Sequence, residues 1–196
     1  EALYANSSGT SNTAMGMQAL YNSTAGSNTG FGHAALYTNS TGSNNTAIGY
    51  WADVTSSGFS NATAIGADTK VNASNKVRIG NTSVTVIEGQ VAYTFSDARF
   101  KNNILHEVPG LEFILGLKPV TYQVNYPKLS KMLGEQQANL AFLQQRSQQT
   151  EMGLLAQQVE EVCQKLGINV SNLVHHPESD KDNYSLAYGS LVIPLI

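Results

Sequence analysis

The sequence predicts a multi-domain chain: an all-β solenoid of short stacked coils over residues 1–80, then a mixed α+β domain over residues 96–196. Three observations predict this. A 16- or 17-residue repeat runs through the first part and then stops. Lys and Arg are absent before Lys70 and common after it. Helix-period and strand-period apolar patterns alternate only in the second part.

Within the repeat, Ala2-Leu3-Tyr4, Ala19-Leu20-Tyr21, Ala35-Leu36-Tyr37 and Ala52-Asp53-Val54 align. A second landmark keeps step: Thr13-Ala14-Met15-Gly16, Thr29-Gly30-Phe31-Gly32, Thr46-Ala47-Ile48-Gly49 and Thr63-Ala64-Ile65-Gly66, with Val77-Arg78-Ile79-Gly80 as a degenerate copy. The period is too short for helical repeats and suits one coil of two short strands and two turns. Each coil offers two apolar positions expected to face inward. One set is Leu3, Leu20, Leu36, Val54 and Val71. The other is Met15, Phe31, Ile48, Ile65 and Ile79. Gly and Asn are expected at the turns because both tolerate positive φ. A coil this small buries too little by itself, so coils must stack and several chains are expected to associate. Disordered low-complexity sequence is the alternative, but it does not keep an aliphatic residue in register through five copies.

The Asn-Thr-Ala-Ile-Gly repeats resemble the head repeats of trimeric autotransporter adhesins, and similar repeats occur in phage tail fibres. The resemblance covers roughly residues 1–80. It implies a left-handed parallel β-roll with three chains side by side. Asn-x-Ser/Thr triplets at Asn6, Asn22, Asn39, Asn61, Asn72, Asn81 and Asn169 are read as turn residues rather than glycan acceptors. Gly30-Phe31-Gly32 grazes a dinucleotide fingerprint but lacks a βαβ context.

Residues 81–95 are expected to connect the two parts. Thr82 to Ile87 and Val91 to Phe95 read as strands around a Glu88-Gly89 turn. At the seam stands Ser96-Asp97-Ala98-Arg99-Phe100-Lys101. A serine hydroxyl becomes a nucleophile when a base takes its proton, and a lysine serves only where burial or a cationic neighbour depresses its pKa. Arg99 is such a neighbour in sequence. Spacing alone favours a plainer reading, a Ser-Asp cap opening a short helix with solvated charges behind it.

The run Ser96 to Ile104 resembles the opening of the intramolecular chaperone domain of endosialidases and other phage tail spikes, the peptidase S74 family. Its Ser-Asp-x-Arg-x-Lys-x-x-aliphatic pattern is met at every fixed position. The resemblance implies a chaperone that assists trimerisation and then cuts itself away. It implies Phe95–Ser96 as the scissile bond, Ser96 as nucleophile and Lys101 as general base, with Asp97 and Arg99 in positioning roles. Gly153 to Glu160 resembles the family's central Gly-x-x-Ala-Gln-x-Val-Glu motif, and Tyr188 to Leu195 its Tyr-x-x-Leu-Val-Pro-Leu segment. The Gln-rich stretch from Leu129 to Gln149 departs from the family by its length. The start inside a repeat and the end in an apolar run predict a fragment of a longer protein, without the family's usual C-terminal helix.

Further along, Pro109 to Leu117 reads as a short helix, Pro119 to Asn125 as a strand, and Leu129 to Gln149 as one amphipathic helix. Met152 to Ala156 reads as a strand. Gln157 to Leu166 reads as a helix closed by Gly167, with Cys163 buried. Two strands, Asn172 to His176 and Tyr184 to Tyr188, flank a turn, and a final helix starts at Leu191. The lone cysteine excludes an intrachain disulfide, and a net charge of -3 gives no reason to expect nucleic acid. No membrane span, metal site or cofactor is expected. His175 and His176 point to opposite faces of a strand, His33 and His106 lack partners, and Glu178, Asp180 and Asp182 are expected to be solvated. The expected partners are two further copies of the chain and a host-surface receptor or glycan, on a virion or a bacterial cell surface. A non-cleaving trimeric surface adhesin with a structural C-terminal cap is the alternative.

Overall fold

A computed structural model of the 196-residue chain describes residues 1–88, 96–105, 108, 110–168 and 172–195. It divides into two compact units. One comprises Glu1–Thr85, Gln123–Gln149 and Pro177–Asp182; the other comprises Val86–Tyr122, Thr150–His176 and Asn183–Ile196.

The first unit holds the predicted solenoid. Its strands are β1 (Thr13–Met15), β2 (Thr29–Phe31), β3 (Thr46–Ile48), β4 (Asp53–Val54), β5 (Thr63–Ile65), β6 (Lys70–Val71) and β7 (Val77–Ile79). β1, β2, β3, β5 and β7 stack in parallel, with Thr13, Thr29, Thr46, Thr63 and Val77 in register. β4 pairs with β6 on another side of the coil. Leu20, Leu36, Val54 and Val71 fill the centre as expected.

The second apolar set does not point inward. Met15, Phe31, Ile48, Ile65 and Ile79 are 38–62% exposed, and their neighbours Gly30, Ala47 and Ala64 face the core instead. Strand alternation forces this choice once the interior is this narrow. A Cβ on Gly30 would already lie 3.3 Å from Leu20 Cγ. Each coil takes one Leu or Val from one wall, and from β1, β2, β3 and β5 of the other wall only Gly or Ala.

The turns also differ from expectation. Leu3, Leu20 and Leu36 themselves adopt φ of 54–55°. That conformation costs roughly 1–2 kcal/mol for an L-residue, whereas burying a leucine stabilises by about 1.5–3 kcal/mol. Burial therefore outweighs the strain at Leu20 and Leu36, which are fully buried. Gly32 and Gly49 do need to be glycine. Their φ values are 131° and 135°, and a Cβ on Gly32 would sit 2.5 Å from the Gly49 carbonyl oxygen.

A buried asparagine ladder closes each coil. Asn12 Oδ1 accepts from Asn28 N at 2.9 Å, Asn28 Oδ1 from Asn45 N at 3.0 Å, and Asn45 Oδ1 from Ala62 N at 2.9 Å. Their amide nitrogens donate to Ala25 O, Gly42 O and Phe59 O. Every coil thus meets the polar needs of the next inside the stack. Asn39 and Asn72 are fully buried, which agrees with reading those triplets as structural; Asn169 lies outside the described residues. Tyr4, Tyr21, Tyr37 and Trp51 stack along one edge, with neighbouring ring centroids 4.8–5.6 Å apart.

Residues 129–149 form two helices rather than one: Tyr126–Leu133, capped by Asn125, and Leu140–Arg146, capped by Asn139. Gly134 ends the first in the left-handed conformation. The pair belongs to the same compact unit as the solenoid. The strand expected over Thr82 to Ile87 does not form, because Thr82 N and Oγ1 donate to Glu135 and Ser83 N donates to Asn81 Oδ1. The strand expected over Val91 to Phe95 lies outside the described residues, as does Gly89 of the expected turn. Asp182 is not solvated: its side chain is fully buried and accepts from Lys76 Nζ at 2.7 Å.

The second unit is α+β. Strand Val120–Tyr122 pairs antiparallel with Glu151–Gly153, and Val174–His175 pairs antiparallel with Ser185–Leu186. Helices Leu111–Gly116 and Ala156–Lys165 lie where the sequence puts them. Phe113, Val159, Cys163 and Leu173 form the core, and burial pushes the Cys163 thiol pKa up. The final segment Tyr188–Leu195 is a 3-10 helix that carries Pro194.

Candidate functional site

The chain turns tightly after Ser96. Asp97 caps the 3-10 helix Ala98–Phe100 by accepting from Arg99 N at 2.9 Å, and Lys101 N closes the turn on Ala98 O at 3.1 Å. The cap is Asp97, not the Ser-Asp pair expected from spacing. Ser96 keeps its hydroxyl free of the turn. With the helix compressed to three residues, Lys101 folds back and its Nζ donates to Ser96 Oγ at 2.8 Å. The two candidate catalytic side chains therefore meet.

Arg99 does not act as a bare cation beside Lys101. Its guanidinium forks onto Asp97, at 2.6 Å from Nη2 to Oδ2 and 3.0–3.1 Å from Nε to the two carboxylate oxygens. This pairing holds the Asp97 carboxyl below the usual carboxylate range and raises Arg99. Ser96, Arg99, Phe100 and Lys101 are exposed. Phe95 lies outside the described residues.

The other candidates gather no chemistry. Gly30-Phe31-Gly32 is the end of strand Thr29–Phe31 of the solenoid and the turn residue after it. His176 Nδ1 stands 3.3 Å from Glu160 and edge-on to Tyr184, while His106 lies outside the described residues. Among the described residues no group of three His, Cys, Asp or Glu could hold a metal, and no helix is long and apolar enough to cross a membrane.

One contact was not foreseen. Leu154 N donates to Tyr188 Oη at 2.9 Å, and a Cβ on Gly153 would lie 2.5 Å from that oxygen. The glycine of the central motif is thus the seat for the tyrosine of the last one. Both motifs were visible in sequence; their pairing was not.

Residues 96–168 match the peptidase S74 family model, described as the chaperone of endosialidase. The match begins on Ser96 itself. No curated protein and no solved structure matches the chain. The peptidase S74 likeness is thus carried by residues 96–168, which follow the β-solenoid in the chain.

Proposed function

We propose that the chain is part of a trimeric fibre protein, of the tail-fibre or adhesin kind, whose chaperone domain guides assembly and then cuts itself away between Phe95 and Ser96. The observation that carries this reading is the 2.8 Å contact between Lys101 Nζ and Ser96 Oγ, on the residue where the family match begins.

The chemistry is intramolecular. Lys101 Nζ, as the base, takes the Ser96 hydroxyl proton while Oγ attacks the carbonyl carbon of Phe95. The C–N bond breaks while the proton passes to the Ser96 nitrogen, leaving an ester between Phe95 and Ser96 Oγ. Water then adds to the ester. Phe95 leaves with a new carboxylate, and Ser96 regains its hydroxyl beside a free amine. Proximity replaces substrate binding. Asp97 and Arg99 serve as positioning residues, because their fork fixes the turn that returns Lys101 to Ser96.

Two features support trimerisation. Met15, Phe31, Ile48, Ile65 and Ile79 form an exposed apolar column along one wall of the solenoid. The first 69 residues also lack Lys and Arg, so a symmetry axis there meets no repelling cations. Such a fibre would stand on a virion or a cell surface and engage a receptor or glycan.

The test is an intact-mass spectrum of the purified protein beside Ser96→Ala and Lys101→Ala. Two fragments split between Phe95 and Ser96, with both variants whole, is the expected result. The exposure of Ser96 and Lys101 favours a second reading, a trimeric adhesin whose C-terminal domain only caps the fibre. A parent that stays whole while sedimenting as a trimer would select it.

A further inference from the structure

The stretch between Leu129 and Gln149 is longer than the family resemblance expects, and the dyad makes no use of it. Its two helices belong to the same compact unit as the solenoid, together with Pro177–Asp182. All of these residues lie after the proposed cut, whereas the solenoid lies before it.

The contacts are specific and polar, and most are hydrogen bonds that involve one charged side chain. The Glu135 carboxylate accepts from Thr82 N at 2.9 Å and Thr82 Oγ1 at 2.5 Å, and Ser130 Oγ braces it at 2.8 Å. Arg146 Nη1 donates to Thr82 O and Val84 O at 2.6 and 3.0 Å, with its guanidinium 4.0 Å from the Tyr126 ring centroid. Gln137 N donates to the buried Asp68 carboxylate. From the second segment, Asp182 pairs with Lys76, and Lys181 O accepts from Asn72 Nδ2 at 2.7 Å. These groups cover the coil end from Asp68 to Val84, where no further coil follows among the described residues.

We infer that residues 123–149 and 177–182 form a polar clamp that keeps the chaperone domain docked on the last coils of the stalk after the Phe95–Ser96 bond is cut. The inference rests on the cleavage reading above. Cutting the covalent link removes none of these contacts, because no residue of the clamp lies within residues 89–95. The partner is the stalk of this same chain. Cleavage and release are then separate events, and release needs the half-buried Lys76–Asp182 and Glu135–Thr82 pairs to be broken. Trp51, the single tryptophan, lines a cavity of about 190 Å³ that Met132 and Leu133 of the clamp also line, so its emission reports docking.

The test runs the cut protein on size exclusion with native mass detection at low salt. Co-elution of residues 1–95 with residues 96–196 is expected. Glu135→Ala removes an acceptor of three hydrogen bonds and should weaken docking roughly 10- to 100-fold, with a change in Trp51 emission. Lys76→Met lies on the stalk, cannot disturb the fold of the domain, and should weaken docking as well. Lys165→Ala should leave it unchanged. Wild-type fragments that separate at low salt overturn the clamp. If the chain proves uncut, a specific protease site inserted between Glu88 and Ser96 supplies the cut. The same co-elution then supports the clamp, and separation overturns it, even though the cleavage reading has failed.

Discussion

The stalk and the chaperone domain solve the same problem in opposite ways. In the stalk, hydrogen-bond partners lie one coil away: Asn28 to Asn45, Leu20 to Ala35, Thr29 to Asn45. In the domain and its clamp, the partners that matter are far apart: Leu154 with Tyr188, and Thr82 with Glu135. The repeat spreads its stability over many similar contacts between neighbouring coils. The domain concentrates it in a few long-range contacts around Phe113 and Val159. A stalk substitution should therefore be judged by the fit of one coil on the next, and a domain substitution by the long-range contact it removes.

The largest expected effect is Gly49→Val. Its Cβ would fall 2.7 Å from the Gly66 carbonyl group at a φ of 135°. A loss of about 4 kcal/mol or more is expected, visible as a collapse of the stalk's thermal transition. If the transition survives, the coils are not closely stacked.

Next is Asn45→Ala, which strips an acceptor from Ala62 N and donors from Phe59 O and Asn39 Oδ1. Leaving such buried groups unpaired costs about 1–3 kcal/mol each, so about 3 kcal/mol by denaturant titration is expected. An exposed stalk asparagine such as Asn61 should cost far less.

Asp53 gives a pH-dependent test. Burial pushes its pKa from 3.8 up to about 6, with Lys70 and the Thr38 and Val54 amides opposing the shift. The folded state therefore holds this proton more tightly than the unfolded chain. The stability it contributes is fully present below pH 3.8 and is lost as pH rises through about 6. Between those limits the stalk should lose about 1–3 kcal/mol, and Asp53→Asn should flatten that slope in thermal melts across pH.

The smallest stability effect belongs to Arg99→Gln. The Asp97–Arg99 pair lies at the surface, so the melting transition should hardly move. Self-cleavage, followed by intact mass over time, should nevertheless slow several-fold because the turn loosens. Equal rates would remove Arg99 from any positioning role.

Sequence alone carried the repeat, the solenoid class, the central column Leu20, Leu36, Val54 and Val71, and the short Ser96-to-Lys101 spacing. It carried them because each depends on local geometry or on a partner at a constant offset. Only the tertiary structure decided which apolar set faces out. Alternation allowed either face of β1, β2, β3 and β5 to be buried, and the narrow core admitted only Gly and Ala from that wall. Only the tertiary structure turned the 129–149 stretch into two helices against the stalk, since Gly134 and Asn139 break a pattern that is otherwise helical throughout. It also spent Arg99 on Asp97 rather than on Lys101, because opposite charges two residues apart across a tight turn satisfy each other first.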